Sequence, residues 1–520
     1  MKKTALIVAG LLTTISSIAA SQDAGKILDA SGVQGGLVVV IGCDRPELLA
    51  RLHAGSSYLV HGLDRDPEKV AAARKYLLEK KLYGSVTVSQ WDGTHLPFVD
   101  GVVNLVVIGS KLNVTRNELL RVLTPNGVAV KLNPGTPQWK LDTFFRKPWP
   151  AEIDQWSHFL YDASNNAVSN DTIVGPPKGL RWTCGPKYAR SHEHLSSLSA
   201  MVTAGGRLFY IIDEGLISSV YLPPKWKLVA RDAFNGVLLW ERAIENWEAH
   251  LRGFRSGPPE LARRLVAAGE RVYVALNYGE PVTVLDAATG ETVARLAGTE
   301  GARELLWDGE TLFVLADDMT AEQHRQRRQA INGDFLRAPL KLSIWQRLPR
   351  KAYPIYGRQR IVAVRTNDHR RARRSVSGAA GGSSSGDGGY VLLWEKPFRT
   401  PGEVLPTTLA ADNGKVCFQT ASHVVCLDAS TGKELWRAAH PVARSRFSWS
   451  TPTLVMHDGV VLVLDRKAGD NVGKAPPNGT TEWIVSSGGR NDRQDAELVC
   501  LLYTSPSPRD LSTSRMPSSA

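Results

Sequence analysis

The spacing of hydrophobic residues changes once along the chain. In the first part, apolar strand-like runs alternate with stretches of helical spacing. The runs read GLVVVIG, SYLVHGLD, SVTVSQWD, VVNLVVIG and VAVKL, and PELLARLHA and PEKVAAARKYLLEKK lie between them. Such alternation is typical of a parallel sheet covered by helices. We therefore predict a Rossmann-like α/β domain over residues 28–135.

Beyond residue 178 the pattern becomes one of short strands behind glycine-containing turns. Examples are AGGRLFYIID, AAGERVYVAL, WDGETLFVLA, ADNGKVCFQT and MHDGVVLVLD. An Asp-Ala-x-x-Gly motif recurs at Asp232, Asp286 and Asp428. Repetition of this kind indicates a β-propeller of four-stranded blades. The prediction for residues 179–502 is an incomplete all-β propeller with about five visible blades.

The repeated motif has a structural explanation. Its glycine allows a tight turn and its aspartate can accept backbone hydrogen bonds. Since it recurs from blade to blade, the motif predicts packing rather than a cofactor site.

The two ends and the middle of the chain complete the predicted organisation. Lys2 and Lys3 precede a short apolar run and then small residues, as in a secretory signal peptide over 1–20. A retained membrane anchor is the weaker alternative, and no later run is long and apolar enough to span a bilayer. We expect export to the periplasm or envelope. Residues 136–178 are predicted as a connector, and the Ser/Pro-rich residues 503–520 as a disordered tail foreign to the protein. The propeller is expected to continue in the intact gene.

The net charge of +12 arises in one segment. From Ala321 to Arg374 there are fifteen Lys and Arg against three acidic residues, within an insertion around 321–389 that ends rich in Gly and Ser. Without a nucleic-acid-binding module, such a run indicates a solvated loop or a contact with an anionic surface. We predict no specific nucleic-acid partner.

Other polar groups give weaker signals. Five scattered cysteines exclude a disulfide scaffold, although Cys417 and Cys426 either face each other across a hairpin and oxidise after export or remain buried thiols. His192 and His194 have no third ligand, so no metal site is predicted. The connector concentrates polar residues that form either a substrate pocket at the domain junction or a buried polar plug between domains. They are Asp154, His158, Asp162, Asn165 and Asn166.

Four ordered motifs give the first part of the chain a family resemblance. They are VVVIGCD, VHGLDRDP, VSQWDGTHLPF and RVLTPNGVAV. Over about residues 35–132 the chain resembles the class I S-adenosylmethionine-dependent methyltransferases. The sequence departs from the family at Asp44, Arg45 and Pro46, where a further glycine is usual, and at Asn104, where an acid is common.

The resemblance implies a cofactor site at the carboxyl ends of the strands. Gly42 and Cys43 would lie beside the methionine part of S-adenosylmethionine. Asp64, followed by Arg65, would accept both ribose hydroxyls. Trp91 would lie beside the adenine ring, and Asp92 would bind its amino group. No catalytic residue can be named.

The second part resembles the pyrroloquinoline-quinone-like repeat proteins, which include quinoprotein dehydrogenases and non-enzymatic scaffolds. The resemblance implies that Trp240, Trp394 and Trp436, at the ends of fourth strands, pack between blades. A quinone-using member would carry an adjacent Cys-Cys pair and a calcium site, and neither is visible, so pyrroloquinoline quinone is not expected here. The first hypothesis is an exported binding or scaffold protein with a protein or envelope partner on the propeller. The alternatives are an S-adenosylmethionine-dependent methyltransferase whose propeller recruits substrate and, last, a quinoprotein oxidoreductase.

Overall fold

The computed structural model describes two regions of different architecture. The described residues are 23–109, 114–132, 141–176, 179–191, 195–251, 259–337, 357–366, 389–442, 452–466, 496–502 and 512–514. The predicted signal peptide and His192 and His194 lie outside these residues. None of the helices formed by the described residues is long and apolar enough to cross a membrane.

The first region is built on a six-stranded sheet in the order β3-β2-β1-β4-β5-β6. The strands are β1 (Gly36–Ile41), β2 (Tyr58–Asp64), β3 (Val86–Gln90), β4 (Val103–Ile108), β5 (Leu123–Leu132) and β6 (Leu141–Arg146). The first five are parallel, and β6 is antiparallel to β5. The predicted α/β class is therefore confirmed. The range predicted as a connector, 136–178, does contain regular structure, since β6 extends the sheet.

Helices cover both faces of this sheet. They are α1 (described over 23–31), α2 (Pro46–Leu52), α3 (Pro67–Glu79) and α4 (Arg116–Val122). The first three pack on one face and α4 on the other. Asp66 caps α3 by accepting from the backbone N–H of Glu68 (2.9 Å), and Pro67 occupies the first turn. These local signals start α3 at Pro67, directly after β2. Asp64, the last residue of β2, therefore lies at the carboxyl edge of the sheet.

The residues described after this domain form five four-stranded antiparallel sheets. Sheet one contains β7 (Leu198–Ala204), β8 (Arg207–Asp213), β9 (Trp226–Asp232) and β10 (Leu238–Ile244); sheet two contains β11 (Leu265–Ala268), β12 (Arg271–Val274), β13 (Val282–Asp286) and β14 (Thr292–Leu296). Sheet three contains β15 (Ala302–Asp308), β16 (Thr311–Asp317), β17 (Arg358–Thr366) and β18 (Tyr390–Pro401); sheet four contains β19 (Ala410–Asp412), β20 (Lys415–Gln419), β21 (His423–Asp428) and β22 (Glu434–Ala439). Sheet five contains β23 (Thr453–His457), β24 (Val460–Arg466), β25 (Ala496–Leu502) and β26 (Ser512–Ser514). Strand β26 comes from the segment predicted as a disordered tail, so that prediction does not hold for these three residues.

Each sheet packs face to face on the next, from sheet one through sheet five. The recurring motif is part of this packing. Its aspartates accept from backbone N–H groups within their own turns, at Asp232, Asp286 and Asp428. The Trp240 ring lies on Gly290 of the next sheet, where a Cβ would approach it to 2.5 Å, and its Nε1 donates to the Ala287 carbonyl. The predicted packing role of the motif is confirmed.

The same contact recurs between other sheets and at the start of the series. Trp394 of sheet three lies on Gly432 of sheet four and donates to the Ala429 carbonyl (2.9 Å). Trp436 is buried between sheets four and five. Trp182 precedes sheet one but makes the equivalent contact with its turn, lying on Gly236. Trp182 therefore occupies the place that a preceding sheet's tryptophan would take.

One short stretch of chain, residues 156–164, contacts the first strand of every sheet. The Thr203 and Ala267 amides donate to the Trp156 and Ser157 carbonyls (2.7 and 3.0 Å). The Trp307 amide donates to Nε2 of His158 (2.9 Å). The remaining two contacts are Ala411 N–H to Ala163 carbonyl (2.8 Å) and Met456 N–H to Ser164 carbonyl (2.9 Å). The five first strands therefore surround this stretch, which lies inside the all-β region and not between the two regions.

The basic segment departs from its predicted solvated loop. Residues Ala321–Arg337 form helix α5, and four of its described side chains are buried, His324, Arg327, Ile331 and Phe335. Arg327 Nη2 donates to Glu248 (2.8 Å), and the His324 ring stacks on Tyr278 at 3.9 Å between centroids. Burial lowers the pKa of His324 to about 4, so the ring is neutral. Part of the basic segment thus serves packing against sheets one and two.

The helix has a sequence signal at its start. Thr320 Oγ1 accepts from the Gln323 amide (3.2 Å), and Gln323 Oε1 accepts from the Thr320 amide (2.7 Å). This is a capping box. We predict that Thr320→Ala will destabilise α5 locally by about 1 kcal/mol, measured as faster hydrogen exchange of its amides. Gln323→Ala should give a similar loss, and unchanged exchange in both variants would contradict the prediction.

Candidate functional site

The residues predicted to hold a cofactor come together at the carboxyl edge of the parallel sheet. Gly42 and Cys43 follow β1, Asp64 ends β2, and Trp91 and Asp92 follow β3. Since β3, β2 and β1 are neighbours, their ends form one continuous edge. Arg65 extends from the end of β2 toward Trp91 and Gly93.

Asp64 is the centre of this edge. Its Oδ2 accepts from the Cys43 amide (2.7 Å) and its Oδ1 from the Asp66 amide (3.0 Å). The residue is 5% exposed. Two backbone donors thus hold the carboxylate in one orientation, and each oxygen keeps a lone pair for a ligand hydroxyl.

The turn after β1 is shaped for close approach at its first residue only. Gly42 has φ +104°, a conformation that side-chain-bearing residues rarely adopt. Cys43 is buried, and burial followed by the nearby Asp64 carboxylate raises the pKa of its thiol to about 12. Arg45 then pairs with Asp23 of α1 (2.9 Å). The Cys43 thiol is therefore neutral and lies in the core beside Gly62, and an ion pair follows it in the turn.

The end of β3 supplies an aromatic wall and a free carboxylate oxygen. Trp91 is buried and its Nε1 donates to the His95 carbonyl (2.6 Å), while the Arg65 guanidinium lies 5.8 Å from its ring centroid. Asp92 is exposed, and Oδ1 accepts from both the amide and the hydroxyl of Thr94 (2.8 Å each). These bonds, the backbone one first, lower the pKa of Asp92, so it remains a carboxylate with Oδ2 available.

These groups fit S-adenosylmethionine in three respects. Asp64 can accept ribose hydroxyls, Gly42 leaves room for backbone approach, and Asp92 Oδ2 can accept from an exocyclic amine. Trp91 is only 6% exposed and the Arg65 guanidinium lies over its ring, so a stacked adenine would have to displace the guanidinium.

One of the polar connector residues, Asn165, belongs to a buried network at the centre of the five sheets. Arg263 Nη2 donates to Asn165 Oδ1 (2.7 Å), and Nη1 lies 3.3 Å from Glu304 Oε2. Asn165 in turn donates to the carbonyls of Leu409 and Leu454 (3.0 Å each). Of the two predicted alternatives, the polar plug fits, but its position is within the all-β region.

His158 is buried in the same stretch of chain but has other hydrogen-bond partners. Its Nε2 accepts from the Trp307 amide, so the ring proton is on Nδ1 and can be donated to Ser157 Oγ (2.7 Å). Burial, then the Arg263 charge, lowers the pKa of His158 to about 3. Asp154, by contrast, is bonded to Ser169 and Asn170 in an exposed loop. The connector cluster is thus split between structural roles.

A cavity between the two regions was not anticipated from the sequence. It has a volume of about 990 Å³ and lies at the amino-terminal edge of the parallel sheet, opposite the predicted site. Its lining includes the turns of sheets one to three, with the ion pairs Arg207–Glu270 (3.1 Å) and Arg271–Asp286 (3.2 Å). No sequence signal could place turns from separate sheets against the far edge of another domain.

Three side chains join the regions beside this cavity. Asn104 Nδ2 donates to Asp232 Oδ2 (2.7 Å), and Asn235 Nδ2 donates to Asn104 Oδ1 (2.7 Å) and to the Val102 carbonyl (2.8 Å). Asp232 and Asn235 belong to the first Asp-Ala-x-x-Gly turn. The asparagine that stands where the methyltransferases commonly have an acid therefore makes the interdomain contact.

Comparison with known proteins gives structural matches only. No protein-family model matches the chain, and no curated protein matches it. Matching solved structures include a putative S-adenosyl-L-methionine-dependent methyltransferase from Methanococcus maripaludis, with 22% identity, a TM-score of 0.22, and coverage of 25% of this chain and 62% of that one.

Others are a geranyl diphosphate methyltransferase in complex with SAM and the YcgJ protein of Bacillus subtilis. The former has 20% identity, a TM-score of 0.20 and coverage of 22% and 48%; the latter has 19% identity, a TM-score of 0.20 and coverage of 22% and 50%. The chain spans less than two thirds of each of these structures. Such low TM-scores carry no inference about what this chain binds.

Proposed function

We propose that the α/β domain binds S-adenosylmethionine at the carboxyl edge of its sheet and that the five sheets form a β-propeller presenting a partner or substrate. The proposal is first that S-adenosylmethionine binds. If the protein is an enzyme, the reaction we propose is methyl transfer from this cofactor. We propose that the protein is exported to the periplasm or envelope.

The observation that carries the proposal is the position of Asp64. A buried carboxylate at the end of β2, held by the amides of Cys43 and Asp66, is suited to a ribose diol. It lies next to Gly42, where the absence of a side chain at positive φ allows a ligand to approach the turn, while the Gly42 amide donates to the Leu63 carbonyl (2.8 Å). The aromatic and acidic residues after β3 continue the same edge.

The propeller part of the proposal is supported by the common centre of the five sheets. Their first strands all bond to residues 156–164, and consecutive sheets share packed cores. Radial sheets around one axis are the arrangement of a propeller. An exposed apolar turn between β8 and β9, with Leu216 and Ile217 61% and 63% exposed, favours a partner-binding role.

The test is calorimetric titration of S-adenosylmethionine and S-adenosylhomocysteine into the full chain. We predict binding that Asp64→Ala weakens by at least about tenfold, because the ribose hydroxyls lose their acceptor. Asp44→Ala is the matched control, since Asp44 lies on the same edge and, among the described residues, forms its ion pair with the exposed Lys69 (2.5 Å). The affinity of the Asp44→Ala variant for S-adenosylmethionine should equal that of the parent chain.

The outcomes separate the candidate functions. Circular dichroism must show that Asp64→Ala is folded, because the carboxylate also accepts two backbone hydrogen bonds. Equal loss in both variants would contradict a specific role for Asp64. No binding by the folded parent chain would refute the cofactor proposal and leave the non-enzymatic scaffold as the better function. Binding without methyl transfer to any acceptor would favour a ligand-regulated scaffold.

A further inference from the structure

Two cysteines lie directly opposite each other in sheet four. Cys417 of β20 is paired with Cys426 of β21, and their side chains share the core between sheets four and five. Both residues are completely buried and both thiols are free. Among the cysteines described with side chains, these two alone face one another.

The backbone register is suited to a bond between them. Opposite residues of antiparallel strands have Cα atoms about 4.5 or 5.5 Å apart, within the range of disulfides. Flanking pairs fix this register, with Val416 opposite Leu427 and Phe418 opposite Val425. Those flanking side chains pack on the other face, against sheet three. A slip of one residue would expose them, so the two sulfurs are held as neighbours.

The folded thiols are nevertheless poorly reactive. Burial raises the pKa of Cys417 well above its ordinary value, so the thiolate that attacks a disulfide is scarce. Neither sulfur is accessible to an oxidant once sheet five covers sheet four. Oxidation therefore has to occur before these two sheets pack, or when they separate.

We propose that Cys417 and Cys426 form a cross-strand disulfide when the chain folds in the presence of a disulfide oxidant, and remain two thiols when it folds under reducing conditions. One cysteine thiolate attacks the oxidant's disulfide, which gives a mixed disulfide and releases one thiol. The second cysteine attacks that mixed disulfide, forms the Sγ–Sγ bond and releases the other thiol. The protein loses two protons and two electrons, and the oxidant is reduced to two thiols.

The redox state of Cys417 and Cys426 then depends on the conditions under which the chain folded. A chain exported before folding would contain the bond, and one folded in a reducing cytosol would keep the thiols. This consequence depends on the proposed export, but the chemistry of the pair does not.

The experiment uses the full chain, denatured and reduced in guanidinium and then refolded either with oxidised and reduced glutathione or with dithiothreitol. After acid quenching, alkylation and proteolysis, mass spectrometry identifies linked peptides. We expect a Cys417–Cys426 peptide from the first refolding only. When oxidised glutathione is added only after refolding in dithiothreitol, both cysteines should remain thiols. They should react with the alkylating agent only after the protein is denatured.

Two variants control the assignment. Cys184→Ser removes an exposed thiol and should leave the linked peptide unchanged. Cys426→Val keeps the site apolar, and Cys417 should then appear as a thiol or a glutathione mixed disulfide. Free thiols at both positions after oxidative refolding, or bonds from either cysteine to Cys43 or Cys184, would overturn the proposal. If the Cys417–Cys426 bond forms as rapidly in the folded protein as during refolding, then oxidation does not have to precede the packing of sheets four and five.

Discussion

Replacing Arg263 by methionine is expected to lower the free energy of unfolding of the all-β region by roughly 3–5 kcal/mol. The side chains of Arg263 and Glu304 are 3% and 1% exposed, and their nearest charged atoms are 3.3 Å apart. Removal of the cation leaves Glu304 buried without its ion pair. It also removes the donors to Asn165 Oδ1 and to the Leu409 carbonyl. Urea unfolding followed by tryptophan fluorescence measures the loss.

The pH dependence identifies the cause. Burial raises the pKa of Glu304 to about 7, above its ordinary value of 4.5, even with Arg263 beside it. A carboxyl whose folded pKa is raised contributes stability below its unfolded pKa, and that contribution is lost as pH rises through the folded pKa. Without Arg263 the folded pKa should rise further. The Arg263→Met penalty should therefore be smaller at pH 5, where Glu304 is protonated, than at pH 8.

Two further variants make this test specific. Arg295→Met removes an exposed ion-pair partner of Glu280, with side chains 55% and 43% exposed, and should change stability by no more than about 0.5 kcal/mol. The double variant Arg263→Met/Glu304→Gln should recover part of the loss, because no buried charge remains. A penalty equal at both pH values, with no recovery, would indicate lost packing in place of an unpaired charge.

The sequence predicted the elements far better than their arrangement around Arg263. Apolar runs and glycine turns are local signals, so the strands of both regions and the packing role of Trp240 and Trp394 could be anticipated. Arg263 carries no such signal. It becomes a central residue only because Asn165, almost a hundred positions earlier, is brought beside it by the connector.

In the candidate cofactor site, too, the sequence predicted positions along the strands but not the contacts between side chains. Asp64 and Asp92 could be placed at strand ends because each follows an apolar run, and their neighbourhood follows from the order of parallel strands. The orientation of Arg65 over Trp91 depends on a bond to the Gly93 carbonyl, which has no sequence signature. The burial of helix α5 was missed because its arginines suggested solvent, although its capping box was visible.

The interdomain contact gives the second large effect. We predict that Asn104→Asp will weaken docking of the α/β domain on sheet one by about 2–3 kcal/mol at neutral pH. The amide nitrogen that now donates to Asp232 (2.7 Å) becomes a carboxylate oxygen at the same place. Burial already raises the pKa of Asp232, and a second carboxylate beside it adds like-charge repulsion. The amide–carboxylate bond is thereby replaced by two facing acids.

Acid should restore the docking. Two carboxylates at this distance can share a proton, so one pKa of the pair is strongly raised in the docked state. Stability from a raised pKa is present at low pH and lost as pH rises, so the variant should dock at pH 4.5 and separate at pH 8. Small-angle scattering measures the separation, and calorimetry measures whether the two regions unfold together.

Asn126→Asp is the matched control for charge at the same edge of the sheet. Asn126 lines the same cavity, but its backbone carbonyl accepts from Arg146 Nη1 (2.9 Å), so a side-chain carboxylate at this residue has a cation nearby. Its docking should be unchanged at both pH values. If Asn104→Asp also leaves scattering and calorimetry unchanged at pH 8, the Asn104–Asp232 bond does not hold the regions together. If both variants separate, the edge rejects negative charge in general, and the contact has no specific role.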